Sequence, residues 1–201
     1  MDGRFTVLPE ERLTLLRPLV EQRMREAAEL IGDGQFEQFF DRSMRGLLTD
    51  GFQRTGADEG TLWLLDPERL HLVPRFNSGP HAASFVGSFR QNLRSGMISM
   101  VVATEQPICE NDMCRNAQQD KSLDQQLQLQ TCAMLAVPFY FVGRLRGVIS
   151  CVQLRSADRS ENDPPEFLPS ALESLQLTAG VLSRLIEYRL MALALGVEGM
   201  G

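Results

Sequence analysis

The chain has 201 residues, a formal net charge of −6 and a pI near 5.0, which excludes sequence-independent nucleic-acid binding because that requires a basic face for phosphates. A hydrophobic content of 43% and a charged content of 23% suit one well-cored domain with extensions. No apolar run is long enough to span a bilayer and the N-terminal segment lacks a signal-peptide core, so a cytoplasmic location is the default expectation.

Leu13, Leu16, Val20, Met24, Ala27 and Ile31 recur at steps of three and four, the stripe of an amphipathic helix. Pro18 predicts a break, with regular helix from about Arg17. Gly32-Asp33-Gly34 supplies the stop. A second helical pattern runs from Phe36 to Phe52. Thr61 to Leu65 and Leu70 to Phe76 alternate apolar positions around an Asp66-Pro67 turn and predict two strands. Asn77 to Ser88 reads as a loop, and Leu93 to Thr104 as a helix carrying Met97, Met100 and Val101 on one face. Ile108-Cys109 stands where an edge strand would. Arg115 to Gln130 predicts a short surface helix with Leu123 and Leu127 turned inward.

Two apolar runs follow, Cys132 to Phe141 and Leu145 to Leu154, joined by Val-Gly-Arg, with Pro138 inside the first and Gly147 opening the second. They read as a hairpin. After the polar loop Ser156 to Pro165 comes the longest helical pattern, Glu166 to Leu195, with Leu168, Leu172, Leu175, Ala179, Leu182 and Ile186 in register. If continuous it spans roughly 45 Å, against a radius of gyration of about 16 Å for a domain this size. Part of it should project or pair with something else. Helices gathered at the start and end, with antiparallel strands between, give the fold class α+β.

The elements in this order resemble a GAF domain over roughly residues 36 to 190. The resemblance rests on Ala57 to Asp66 as a first-strand pattern, on Ser95-Gly96-Met97 through Glu105-Gln106-Pro107-Ile108 as a helix and short strand, and on Asn111-Asp112 after it. Ala136-Val137-Pro138-Phe139 with Gly143 and Gly147-Val148 resembles the closing hairpin. The resemblance implies a central antiparallel sheet with helices on one face and a ligand pocket on the other. It divides the chain into an N-terminal helical extension (1–35), a core (36–165) and a long C-terminal helix with its tail (166–201).

By the same resemblance the chain is a small-molecule-sensing regulatory module of a signal-transduction protein. The resemblance further implies homodimerisation through the terminal helices and action on an output domain or partner protein. Leu182, in the long stripe, is the position where a charge should dissolve that bundle. The pocket walls implied are Trp63, Phe76, the loop Asn77 to Ser88, Met97, Met100, Val101, Cys109, Asp112 and alternating hairpin positions such as Met134. The ligand and any cofactor are not named by these residues.

No catalytic set is expected. Neither a GxSxG elbow nor a GxxxxGK loop occurs, and zinc-type cysteine pairs are absent. Cys132 and Cys151 read as buried strand thiols, and Cys114, in a polar loop, as the most reactive one. A divergent thiol-dependent reductase on the same scaffold, like the free methionine sulfoxide reductases, is the competing expectation. A ligand-free dimerisation module is the third. His71 and His81 read as surface residues.

Overall fold

The computed structural model describes residues 10–31, 36–155 and 164–197. In chain order the elements are α1 (Glu11–Leu30), α2 (Phe36–Phe39), α3 (Arg42–Thr55), β1 (Glu59–Leu65), β2 (His71–Asn77), α4 (Ala82–Phe85) and β3 (Gln91–Asn92). Then follow α5 (Met97–Thr104), β4 (Ile108–Glu110), a 3-10 turn (Met113–Arg115), α6 (Ser122–Leu127), β5 (Gln130–Phe141), β6 (Arg144–Arg155) and α7 (Pro169–Leu195). The predicted stop at Gly32 to Gly34 and most of the Ser156 to Pro165 loop lie outside the described residues.

The β5–β6 hairpin organises the sheet. Val142 and Gly143 both take positive φ, 52° and 66°, the left-handed pair that matches the twist of a two-residue hairpin. Its strands are 12 residues each and lie side by side in the strand order β3-β2-β1-β6-β5-β4. Every neighbouring pair is antiparallel. Pro138 is tolerated because β4 pairs only as far as Ala136, which leaves that part of β5 without an outer neighbour needing its N–H. Gly147 is required for another reason. A Cβ there would run into the backbone carbonyl of Trp63 on β1.

The two faces of the sheet bury different things. Leu62, Leu64, Leu135, Val137, Phe139 and Ile149 point to the face covered by α1, α2, α3 and α7. Trp63, Leu65, Leu72, Ala136 and Val148 point the other way and meet Ile98 and Val101 of α5. A side-chain period of two in a sheet covered on both sides explains why β1 is buried at all seven positions.

Several expectations change. The helix α1 runs through Pro18; the proline removes one backbone donor in a stretch that is exposed to solvent. The pattern Phe36 to Phe52 is two helices, because Asp41 takes extended backbone and accepts from the Met44 amide at 2.9 Å, starting a new helix. Arg189 of α7 also reaches the Asp41 carboxylate. The segment read as a loop from Asn77 holds α4, and the helix expected from Leu93 starts only at Met97.

The long C-terminal helix does not extend bare from the domain. Leu175, Ala179, Leu182, Ile186 and Leu190 of α7 are buried, joined by Ala28 of α1 and Ile31 just past its end. Glu29 of α1 also accepts from Arg146 at 3.0 Å. The stripe containing Leu182 therefore packs on its own sheet. A second stripe on α7 remains exposed: Leu177, Val181, Tyr188, Met191 and Leu195.

Candidate functional site

On the face opposite the terminal helices the sheet forms the floor of a cavity of about 90 Å³. Trp63, Met134, Ser150 and Val152 rise from the strands, Met97 and Ile98 come from the start of α5, and Met113, Leu123 and Leu127 close the top. The floor is ordered by polar contacts. Trp63 Nε1 donates to Ser150 Oγ at 2.9 Å. Asn77 Nδ2 donates to Glu59 Oε2 at 3.2 Å and to Thr61 Oγ1 at 3.0 Å. Glu59, Thr61, Asn77 and Ser150 are all buried.

The roof is the stretch from Met113 to Leu129, and two carboxylates fasten it. Asp120 accepts from Ser122 Oγ (2.6 Å), Ser95 Oγ (2.8 Å) and Gln91 Nε2 (3.0 Å), which ties the roof to β3 and the approach to α5. Asp124 accepts from the amide and the hydroxyl of Thr131 at 2.9 and 2.8 Å, which ties α6 to β5. The Ser122 hydroxyl, followed by its amide and the Gln91 and Ser95 donors, outweighs burial and holds the Asp120 carboxyl down at about 2.

This sets a pH dependence. A depressed carboxylate pKa contributes stability above its unfolded value near 3.8 and loses it as pH falls toward 2. Solvent screening of this partly exposed carboxylate keeps its contribution below about 2 kcal/mol. Protection from hydrogen exchange across residues 113–129, relative to the intrinsic rate at each pH, is expected to fall between pH 4 and 2. In Asp120→Asn the same segment should exchange faster at neutral pH and lose that acid step.

Of the residues singled out from the sequence, Trp63, Met97 and Met134 line the cavity. Val101 is buried just beneath it in the same cluster. Met100 turns to a separate groove beside Ala103 and Gln118. Phe76 is on the opposite face, packed on Phe40 and Phe52, because the β1–β2 register shifts between Leu62 and Trp63 and puts Pro74 opposite Trp63. Cys109 is exposed on the edge strand β4, and Asp112 is exposed at the turn after it. Neither reaches the cavity.

Asn77 and Phe85, both within the loop Asn77 to Ser88 expected as a wall, line the cavity too, whereas Glu59, Thr61, Asp120, Asp124 and Ser150 were not singled out. Ser150 had a readable signal, a lone hydroxyl inside the apolar run Val148 to Val152. The others are polar residues at strand ends or in the roof, where polarity is ordinary.

The thiols divide by burial. Cys151 is buried, and burial pushes its thiol up to about 12. Cys132 is raised by burial and by its contact with Cys114, whose sulfur is 3.7 Å away. Cys109 is raised by partial burial and by the nearby carboxylates Glu110 and Glu166. A disulfide-exchange reagent applied to the native protein is expected to leave Cys151 unmodified until the chain unfolds. Reaction of Cys151 at the pace of Cys114 would contradict that burial. Among the described residues no three His, Cys, Asp or Glu side chains converge to hold a metal ion. None of their helices is long and apolar enough to cross a membrane.

An antiparallel six-stranded sheet, helices at both chain ends on one face and a roofed cavity on the other define an α+β architecture. The GAF domain profile matches residues 41–187, and the chain belongs to that family. Solved structures agree on the fold. The GAF domain of a phosphoenolpyruvate-protein phosphotransferase from Acinetobacter superposes with a TM-score of 0.58 at 17% identity, covering 94% of this chain and 99% of its own. The corresponding domain from Coxiella burnetii gives 0.56 at 19% identity, with the same coverage of 94% and 99%. A methyl-accepting chemotaxis protein fragment gives 0.56 at 16%, covering 90% and 99%. Among curated proteins none matches this chain.

Proposed function

We propose that this GAF domain is a small-molecule-sensing regulatory and dimerisation module of a cytoplasmic signal-transduction protein. The observation that carries the reading is the roofed cavity over one face of a sheet whose other face seats α7. A ligand under the roof touches the same strands, β5 and β6, on which that helix lies. It can favour one helix arrangement only by its difference in affinity for the two states. Trp63, Met97 and Met134 are the ligand-wall residues carried forward from the sequence, with Met flexibility suiting an adaptable wall.

Homodimerisation is assigned to the exposed stripe of α7, not to the buried one. Leu177, Val181, Tyr188, Met191 and Leu195 follow one another at steps of four, seven, three and four, the spacing of a helix-pairing seam. Leu15, Leu16 and Leu19 of α1 are also exposed, Leu15 at 81%. A second copy of this chain fits such a seam, and an output domain or partner would read its geometry.

Native mass spectrometry of the purified chain tests the sensing reading. A non-covalent adduct retained by the wild type and lost in a folded Met134→Trp variant supports it. No binder for either protein, with unchanged dimerisation, points to the ligand-free module. The short Cys114–Cys132 separation favours a second reading, a thiol-dependent reductase in which two thiols become a disulfide while a sulfoxide becomes a thioether and water. Turnover of methionine sulfoxide that is lost in Cys114→Ser would establish it.

A further inference from the structure

The charge of the cavity wall narrows the ligand. Glu59, Asp120 and Asp124 line it, and among the described residues no Lys, Arg or His does. Asp120 and Asp124 have their protein donors. Glu59 is different. It is 7% exposed, its Oε2 takes one amide hydrogen bond from Asn77, and its Oε1 accepts none among the described residues. It forms no ion pair with them either. A buried carboxylate is normally paired with a cation or several donors.

Beside it, the Thr61 hydroxyl accepts from Asn77, and further along the floor the Ser150 hydroxyl accepts from Trp63. The rest of the wall carries apolar groups: the Trp63 ring, Met97, Ile98 and Met134. An anionic head finds no complement here. The start of α5, which would favour one, already has Asp120 against Gly96, with Asp120 Cβ 3.0 Å from the place of a Gly96 Cβ.

We infer that the cavity takes a small amphiphilic cation, a protonated primary amine on a short apolar body, with its ammonium at Glu59 Oε1. This rests on the sensing reading above and names the ligand class for the same site. The volume, about 90 Å³, limits the ligand to a small amine with a short apolar body. An ammonium supplies the donors and the charge that Glu59 lacks. Phosphates, carboxylates and nucleotides are disfavoured by the three carboxylates.

Thermal unfolding of the full chain with n-butylammonium, n-butanol and butyrate, at matched concentration and constant ionic strength, tests this. The amine is expected to raise the unfolding temperature in a concentration-dependent way, the alcohol to do so less, and butyrate not at all. Glu59→Gln should weaken the amine by about tenfold or more and leave the alcohol unchanged. Should Glu59→Gln not fold, Gly79→Ala serves, since a Cβ at Gly79 overlaps the Glu59 carboxylate and displaces it.

The inference is overturned by no amine response, by butyrate or butanol matching the amine, or by an amine response that survives both substitutions. A neutral or anionic adduct seen in native mass spectrometry, with no amine response, sinks this ligand class while the sensing reading stands. Absence of any adduct, together with silence from all three probes, removes both.

Discussion

Leu182→Asp is expected to abolish folding, whereas Val181→Glu, one residue earlier, leaves a folded monomer. The side chain of Leu182 is 0% exposed between α7 and the sheet, whereas Val181 is 39% exposed on the outer stripe. Replacing a core leucine forfeits about 3–5 kcal/mol of packing, and an unpaired buried carboxylate adds a similar penalty. A domain with about 5–15 kcal/mol in hand does not survive both. Val181→Glu loses only exposed apolar surface but places like charges across a helix seam. Light scattering coupled to size exclusion reads the mass, and far-UV circular dichroism with a melt reads the fold. A folded Leu182→Asp protein would overturn the packing described for α7. A Val181→Glu dimer as tight as wild type would remove the outer stripe as the interface.

The second large effect is at Gly147. In Gly147→Val the new branched side chain meets the Trp63 carbonyl and the Leu64 backbone, where β6 pairs with β1 in the middle of the sheet. Relief requires the two strands to part, which breaks central hydrogen bonds and displaces Trp63, the cavity wall. A cost of about 3–5 kcal/mol places it among the severe single substitutions. For a chain this long that lowers the melting temperature by roughly 6–20 °C. The contrast is Gly46→Ala. Gly46 lies inside α3 with nothing within 4 Å of an added Cβ, so alanine should stabilise by about 0.5–1 kcal/mol through helix propensity. Denaturant midpoints for both variants check the pair, and a Gly147→Val midpoint equal to wild type would contradict the close strand approach.

What was legible in the sequence follows periodicity. The hairpin, the edge position of Ile108-Cys109, and the inward turn of Leu123 and Leu127 were all readable, because alternation or an i, i+4 pair states which side is apolar. The stripe through Leu175, Ala179 and Leu182 was also readable, but the surface it covers was not. A stripe says only that something apolar lies opposite, and here that is the chain's own sheet. Phe76 shows a stricter limit. One register shift between Leu62 and Trp63 sends it to the opposite face, and a shift of one residue leaves no mark in an apolar run. Glu59 was hidden for a related reason. A carboxylate at a strand start reads as a solvated end until the neighbouring loop, with Gly79 against it, closes over.

The edges of the sheet bear on how the protein behaves when concentrated. Its two long strands, β5 and β6, would be efficient templates for strand addition if left at a border. One border is instead β3, two residues long, and the other is β4, three residues long. Where β4 ends, Pro138 withholds a donor from the open part of β5. Short and interrupted borders offer an incoming strand little to pair with. The domain can therefore expose the apolar outer stripe of α7 without also offering an open sheet border to strand addition and fibrous growth.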